Sequence, residues 1–165
     1  MKMVIPVAVW GGLALLVGSS LLSPAPRAGD ARVPLVEDFA ELGREADARR
    51  LPVLVLFAAE HCEYCQRLEA EFLEPMLLSG QYEDRVIIRK LMVDSWAPLR
   101  DFGGSRIGAN EFAERHAVDV TPTVMLFDSE GRPLGRRLIG LNNVHFYGAY
   151  LDRAIDKAYQ ALNPS

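Results

Sequence analysis

The sequence predicts an α/β domain, and three observations support that fold class. A continuous apolar run at residues 52–59 is typical of a strand that is buried on both faces of a sheet. Stretches with apolar residues at helical spacing lie before and after it. Residues 128–131, Asp-Ser-Glu-Gly, predict a turn between two further apolar segments, which is typical of a hairpin. The predicted order is a βαβ unit, then a hairpin, then a final helix.

The first half of the domain contains two helices and two strands. Apolar residues at helical spacing predict an amphipathic helix over 36–49, and the run at 52–59 is the first strand. A second helix is expected from Glu63 to about Leu78, with Pro75 kinking it or ending its first part. The second strand is expected over 86–93.

The second half begins with a segment rich in helix breakers. Residues 94–108 contain Trp96, Pro98 and the adjacent glycines Gly103 and Gly104, and they predict a long loop or small insertion. A short helix over 111–116 with Asn110 as its N-cap follows, and strands over 123–127 and 134–139 form the hairpin. The last helix, over 144–162, is expected to turn one face inward: Phe146, Tyr150, Leu151, Ala154, Ile155 and Ala158.

The first 28 residues are predicted to be a targeting segment. An uncharged run over 4–22 follows Lys2, and the small residues Ala25 and Ala28 suit a processing enzyme. The competing interpretation is an uncleaved membrane anchor, because 19 uncharged residues just span a bilayer. Residues 29–34 are expected to be a short linker before the domain at 35–162. Whether the first segment is a cleaved signal or an anchor, that domain is expected to face the periplasm.

The composition argues against a nucleic-acid-binding protein and against a small fold that depends on disulfides. The formal net charge is −4 with a pI near 5.4, and the charges are scattered, so no basic surface for nucleic acid is expected. The 137 residues after Ala28 are enough to bury a core without disulfide staples. The fold therefore does not need the cysteines for its stability, and they are available for a reaction.

The chain has two cysteines, Cys62 and Cys65, placed where the first strand ends and a helix begins. Helix N-terminal N–H groups and the helix dipole stabilise a thiolate there, so the pair is predicted to be redox-active. Half a zinc site, completed by His61, His116 or His145, is the alternative. A purely structural disulfide is disfavoured, because so short a loop restricts the unfolded chain little.

Several motifs together resemble the thioredoxin family over residues 35–162. They are the strand before Cys62, the CxxC pair, Val-Thr-Pro-Thr at 120–123 and Gly140 after the last strand. The resemblance implies the thioredoxin fold, a three-layer α/β/α sandwich with a mixed central sheet. The stretches at 61–65 and 72–77 are most similar to secreted bacterial thioredoxins found beside sulfur-oxidation systems.

The resemblance also implies roles for residues near the cysteines. Pro122 is expected to be a cis-proline beside the cysteine pair; an ordinary trans proline at the start of a strand is the alternative. The backbone of Thr121 is expected to pair with an extended substrate segment. Cys62, at the helix start, is expected to attack a substrate disulfide, and Cys65 to resolve the mixed disulfide. His61 and Tyr64 are candidate substrate contacts. Neither metal nor organic cofactor is required, since the Cys62–Cys65 pair itself accepts two electrons as a disulfide and donates them as a dithiol.

Departures from the ordinary family pattern affect the chemistry. Leu56 stands six residues before Cys62, where the family usually carries a buried carboxylate, so the proton acceptor for Cys65 is not identified. Lys90 matches the family's buried lysine and is expected to lack its acidic partner. Glu63 disfavours a thiolate on Cys62, whereas a protonated His61 favours it. Since a histidine is mostly uncharged near neutral pH, the sequence favours a reductant.

The predicted function is a periplasmic thiol–disulfide oxidoreductase. Its expected substrates are disulfides of exported proteins or small thiols, and its expected electron donor is embedded in the membrane. A thioredoxin-fold carrier of copper(I), zinc or thiols is the alternative. Copper carriers often recruit methionine, and the methionines after the targeting segment do not adjoin the cysteines: Met76, Met92 and Met125.

Overall fold

The computed structural model describes residues 32–164. The predicted targeting segment and the first part of the linker lie outside the described residues. Within 32–164, no helix combines the length and the apolar character that a membrane crossing requires.

The described residues form six strands and a set of helices. The strands are β1 (Val53–Ala58), β2 (Ile87–Met92), β3 (Leu99–Arg100), β4 (Arg106–Ile107), β5 (Thr123–Phe127) and β6 (Leu138–Ile139). The α-helices are α1 (Phe39–Arg49), α2 (Glu63–Leu68), α3 (Glu74–Ser79), α4 (Ala109–Arg115) and α5 (Val144–Leu162), with a π-helical turn at Glu69–Leu73.

The central sheet is mixed, with the order β2-β1-β5-β6. Strand β1 runs parallel to β2 and antiparallel to β5, and β6 is antiparallel to β5. All six residues of β1 are buried, as expected for a strand with neighbours on both edges and helices on both faces. The remaining two strands, β3 and β4, form a separate hairpin inside the segment that we expected to be a loop or insertion.

Two apolar cores lie on opposite faces of this sheet. The side chains of Val53, Val55 and Phe57 pack with α1 and α4. The alternate residues, Leu54, Leu56 and Ala58, pack with α2, α3 and α5. Helices on both faces of a mixed sheet make the three-layer α/β/α sandwich of the thioredoxin fold, so the predicted fold is confirmed.

The helix after the cysteines continues past Pro75. The Glu74 N–H donates to the Glu69 carbonyl, five residues back, which marks the π-helical turn. Pro75 then lies in the first turn of α3, where the missing N–H of proline is tolerated. The helix ends at Gly80, whose positive φ of 68° suits glycine.

Other boundaries differ from the predictions by a few residues. Helix α1 begins at Phe39 because the Asp38 carboxylate accepts the Glu41 N–H at 2.8 Å. Helix α4 begins at Ala109, so Asn110 lies inside it and is not the N-cap. The strand predicted over 134–139 is reduced to β6, because Gly135 takes a positive φ of 83° that interrupts the extended chain.

The buried face of α5 also differs in part from the face that the sequence predicted. Its bounds agree with the prediction, but Phe146 and Tyr150 are exposed, at 57% and 42%. The buried positions are Tyr147, Leu151, Ile155 and Ala158. The prediction is therefore right for Leu151, Ile155 and Ala158, whereas Tyr147 takes the inward place expected for Phe146 and Tyr150.

Candidate active site

The two cysteines lie at the end of the loop after β1 and the start of α2. Cys62 is the N-cap of α2, and its sulfur accepts the Cys65 N–H at 3.1 Å. The two sulfurs form a disulfide with an S–S distance of 2.08 Å. Cys62 is half-buried, whereas Cys65 is only 2% exposed. A thiolate on Cys62 would receive the backbone hydrogen bond and be the sulfur that a substrate reaches.

The side chains beside Cys62 point to solvent. His61, Glu63 and Tyr64 are all exposed, Tyr64 at 62%. Glu63 is the acidic residue in the first turn of α2, where a carboxylate also interacts favourably with the helix dipole. These three residues surround the accessible sulfur without burying it.

The sheet brings Thr121 and Pro122 to the same edge as the cysteines. Because β1 and β5 are antiparallel, with Phe57 opposite Thr123, the end of β1 meets the start of β5. The Thr121–Pro122 peptide bond is cis, and Pro122 is buried. The Pro122 carbonyl accepts the Gly140 N–H at 2.8 Å, which joins this turn to the end of β6.

Lys90 has an acidic partner, contrary to the sequence-based expectation. Its Nζ lies 2.6 Å from Oε2 of Glu69, with side-chain exposures of 18% for Lys90 and 12% for Glu69. Glu69 is four residues after Cys65, and its N–H donates to the Cys65 carbonyl. The carboxylate beside Lys90 therefore comes from the cysteine-bearing helix and not from β1.

Leu56 occupies the strand position that the family usually fills with a carboxylate. It is fully buried and lies opposite Lys90 in the register of β1 and β2. Sequence analysis missed Glu69 because it is one of four glutamates in a short helical stretch: Glu63, Glu69, Glu71 and Glu74. The available signal was its spacing from Cys65, since residues at i and i+4 share one helix face.

His116, one of the histidines considered as an extra zinc ligand, lies away from the cysteines. His116 packs on Phe112 and Phe127, on the opposite face of the sheet, with ring centroids 4.6 and 4.8 Å away. Burial, helped by the nearby Arg115, lowers the pKa of His116 below its usual value. Within residues 32–164, no three histidine, cysteine or carboxylate groups are placed to hold a metal ion.

The sequence and fold match one family of known proteins. The thioredoxin-like domain family matches residues 40–155, which include the cysteine pair and the Thr121–Pro122 turn. The chain belongs to the thioredoxin-like family. No curated protein matches this thioredoxin-like chain in sequence.

Solved thioredoxin structures share the fold of this thioredoxin-like protein. Oxidised mitochondrial thioredoxin 3 of Saccharomyces cerevisiae matches with a TM-score of 0.51 and 19% identity, over 75% of this chain and 93% of that one. The thioredoxin of Malassezia sympodialis matches with a TM-score of 0.53 and 16% identity, over 78% and 94%. A Plasmodium falciparum thioredoxin matches at 0.50 and 23% identity, over 76% and 98%.

A thioredoxin-like domain with a CxxC pair is a thiol–disulfide oxidoreductase. Cys62 and Cys65 close into a disulfide here, which is the oxidised form of such a pair. The reaction moves two electrons between this pair and a partner disulfide. Members of the family act on disulfide substrates through the cysteines themselves, without an organic cofactor.

Proposed function

We propose that this protein reduces disulfides of exported proteins in the periplasm, with electrons from a membrane-embedded donor. Support for the compartment comes from the uncharged run at residues 4–22 and the small residues after it. The similarity of residues 61–65 to secreted thioredoxins of sulfur-oxidation systems suggests the same setting. Whether the run is a cleaved signal or an anchor does not change the chemistry.

The observation that carries the choice of protein substrates is a set of exposed apolar side chains around the cysteines. Tyr64 lies between the two cysteines and is 62% exposed. Val120, just before Thr121, is 54% exposed, and Ile139, just before Gly140, is 52% exposed. Exposed apolar side chains on the segments that meet at a reactive centre are typical of a protein–protein contact.

The proposed cycle begins with the reduced pair. The Cys62 thiolate attacks one sulfur of the substrate disulfide, a Cys62–substrate bond forms, and the first substrate thiolate leaves. The Cys65 thiolate then attacks Cys62, the second substrate thiolate leaves, and the Cys62–Cys65 disulfide forms. Both substrate thiolates take up protons, and the donor later returns two electrons to the pair. The greater exposure of Cys62 supports this order of attack.

The negative charge of Glu63 beside Cys62 supports the reducing direction. Glu63 is next to Cys62 and exposed in the first turn of α2, so its carboxylate opposes a second negative charge on the sulfur. A less stable thiolate makes the dithiol a stronger reductant. His61 opposes this effect only when it is protonated, and near neutral pH most histidines are not.

The test is substrate trapping in the organism that makes the protein. In Cys65→Ala the resolving thiolate is absent, so the first mixed disulfide should persist and be recovered by non-reducing electrophoresis. Mass spectrometry of the trapped partners should identify exported proteins and a membrane protein. Cys62→Ala is the matched control and should trap far fewer partners.

Three outcomes would contradict the proposal. Trapped partners that are all cytosolic would show that the compartment is wrong. Equal trapping by both variants would show that attacker and resolver are wrongly assigned. Stoichiometric copper or zinc on the purified wild type, with no trapped partner in either variant, would favour the metal-carrier function.

A further inference from the structure

The resolving step requires that Cys65 lose a proton inside the protein. Cys65 is 2% exposed and packs in an apolar cluster with residues such as Leu68 and Leu73. Burial in apolar surroundings disfavours the thiolate, yet the thiolate is the form that attacks a disulfide. A base near Cys65 would therefore set the rate of this step.

The described residues contain one suitable buried acid. Their buried polar or charged side chains are Glu69, Thr123 and Asp128. The Asp128 carboxylate is occupied in its own turn, where it accepts N–H groups of Glu130 and Arg132. The Thr123 hydroxyl donates to the Val120 carbonyl at 2.7 Å. Glu69 alone combines burial with a position on the cysteine-bearing helix.

The geometry directs Glu69 towards Cys65. Glu69 follows Cys65 by one helical turn, and its N–H donates to the Cys65 carbonyl. Residues at i and i+4 share a face, and helical side chains lean towards the N-terminus, so the Glu69 side chain is on the same helix face as Cys65. Leu56 and Cys65 belong to the same apolar cluster, and Lys90 lies beside Leu56.

Lys90 holds the Glu69 carboxylate in place. The contact at 2.6 Å uses Oε2, and Glu69 has no other side-chain hydrogen bond within residues 32–164. The second oxygen, Oε1, is thus left to accept a proton. The ammonium also compensates the buried negative charge, which would otherwise be costly.

We propose that Glu69, positioned by Lys90, accepts the Cys65 proton during the resolving step. The S–H bond of Cys65 breaks, and its proton passes to Glu69 directly or through one water molecule. The electron pair left on Cys65 forms the bond to Cys62, and the second substrate sulfur leaves as a thiolate. Glu69 then returns the proton to solvent, where the leaving thiolate is protonated. The carboxylate has moved from the strand position of Leu56 to the helix.

Other titratable groups on the surrounding elements do not fill this role. On β1, the residues that face the helix are apolar. On α5, burial raises the pKa of Tyr147 far above its usual value, so it stays neutral, and Asp152 bonds to the Tyr82 hydroxyl. On the helix itself, Arg67 pairs with Glu71, and Glu63 and His61 are exposed near Cys62.

The test separates attack from resolution in one stopped-flow experiment. Reduced protein is mixed with an equimolar amount of the disulfide 5,5′-dithiobis(2-nitrobenzoate). Attack by Cys62 releases the first coloured thiolate, and attack by Cys65 on the resulting mixed disulfide releases the second. This assay does not depend on the natural substrate or compartment, so it stands or falls separately from the proposed function.

Glu69→Gln keeps the shape and a hydrogen-bond acceptor for Lys90 but removes the base. We expect its first phase to match wild type within about 2-fold and its second phase to slow about 100-fold or more, in line with general-base catalysis. The second phase of Glu69→Gln should rise more steeply with pH than that of wild type, because Cys65 then loses its proton only to solvent. Glu69→Asp, which keeps a carboxylate, should show a second phase of intermediate rate.

Glu71→Gln is the matched control, because Glu71 lies on the same helix but is exposed and paired with Arg67. It should leave both phases unchanged. A second phase in Glu69→Gln equal to that of wild type across the pH range would overturn the proposal. Equal slowing of both phases would also overturn it, because that pattern indicates a general distortion of the helix.

Discussion

At the residue scale, the two cysteines have different surroundings although they are only three positions apart. Cys62 is half-buried and its sulfur accepts a backbone N–H, whereas Cys65 is almost completely buried among apolar side chains. The first environment favours a reactive thiolate and the second disfavours one. Replacing Cys62 and replacing Cys65 should therefore change the reaction in different ways.

Cys62→Ser should abolish disulfide reductase activity, because the attacking sulfur is lost. The measurement is turnover of insulin disulfides with dithiothreitol as the reductant. Cys65→Ser should also lose turnover but should still form one mixed disulfide per molecule, seen by mass spectrometry. Residual turnover in Cys62→Ser at the wild-type level would contradict the oxidoreductase assignment.

His116 makes stability depend on pH. Burial lowers its pKa in the folded protein below the usual value near 6.5, so the unfolded chain binds more protons as the pH falls. The free energy of unfolding should therefore decrease as the pH falls through about 6.5, the unfolded-state pKa. His116→Phe keeps aromatic packing on Phe112 and Phe127 and should lessen that decrease.

The check on His116 is urea denaturation at several pH values between about 8 and 5. The stability difference between wild type and His116→Phe should grow in favour of the variant as the pH falls. A constant difference for His116→Phe would show that His116 does not contribute to the pH dependence.

At the element scale, apolar patterning predicted most of the fold. The bounds of α5 and β5 agree with the prediction, and β1 differs by one residue at each end, because continuous apolar runs and helical spacing are strong local signals. The pattern alone does not distinguish Phe146 from Tyr147 on α5, since both are aromatic; in the structure Tyr147 faces inward and packs against Phe72. The Glu69–Lys90 pair joins a helix to a strand 21 residues away, which no local pattern reports.

Helix α1 packs so closely on the turn after β5 that it requires glycine at position 43. A Cβ there would lie 2.5 Å from the Ser129 carbonyl oxygen, a backbone atom that cannot easily move. Gly43→Ala should therefore lower the free energy of unfolding by about 1–3 kcal/mol, as overpacking usually does. Gly148→Ala in α5 is the matched control, because its Cβ would meet Phe72 at an ordinary 3.7 Å.

Chemical denaturation of both glycine variants checks this prediction. Gly148→Ala should be more stable than wild type by up to about 1 kcal/mol, since alanine favours a helix interior over glycine. Opposite signs for the two substitutions are the expected result. Stabilisation by Gly43→Ala would show that α1 does not approach the turn at Ser129.

At the scale of the whole molecule, the sheet separates a structural core from the core beneath the active site. One face of the sheet carries a cluster of phenylalanines, in which Phe39 and Phe112 stack with centroids 4.1 Å apart. The other face carries Cys65, Leu68 and the Glu69–Lys90 pair. Stability can therefore be lost on one side while the chemistry on the other side is kept.

Phe112→Ala tests that separation against Leu68→Ala. Both side chains are buried, so the substitutions should lower the free energy of unfolding by about 3–5 and 2–5 kcal/mol, respectively. Phe112→Ala should nevertheless keep both phases of the dithiobis(nitrobenzoate) reaction within about 2-fold of wild type, in protein shown to be folded by circular dichroism. Leu68→Ala opens a cavity under the cysteine-bearing helix, next to Cys65 and Glu69, so its second phase should slow. If Phe112→Ala slowed the second phase as much as Leu68→Ala, the two faces of the sheet would be coupled, and the active site would depend on the whole core rather than on its own face.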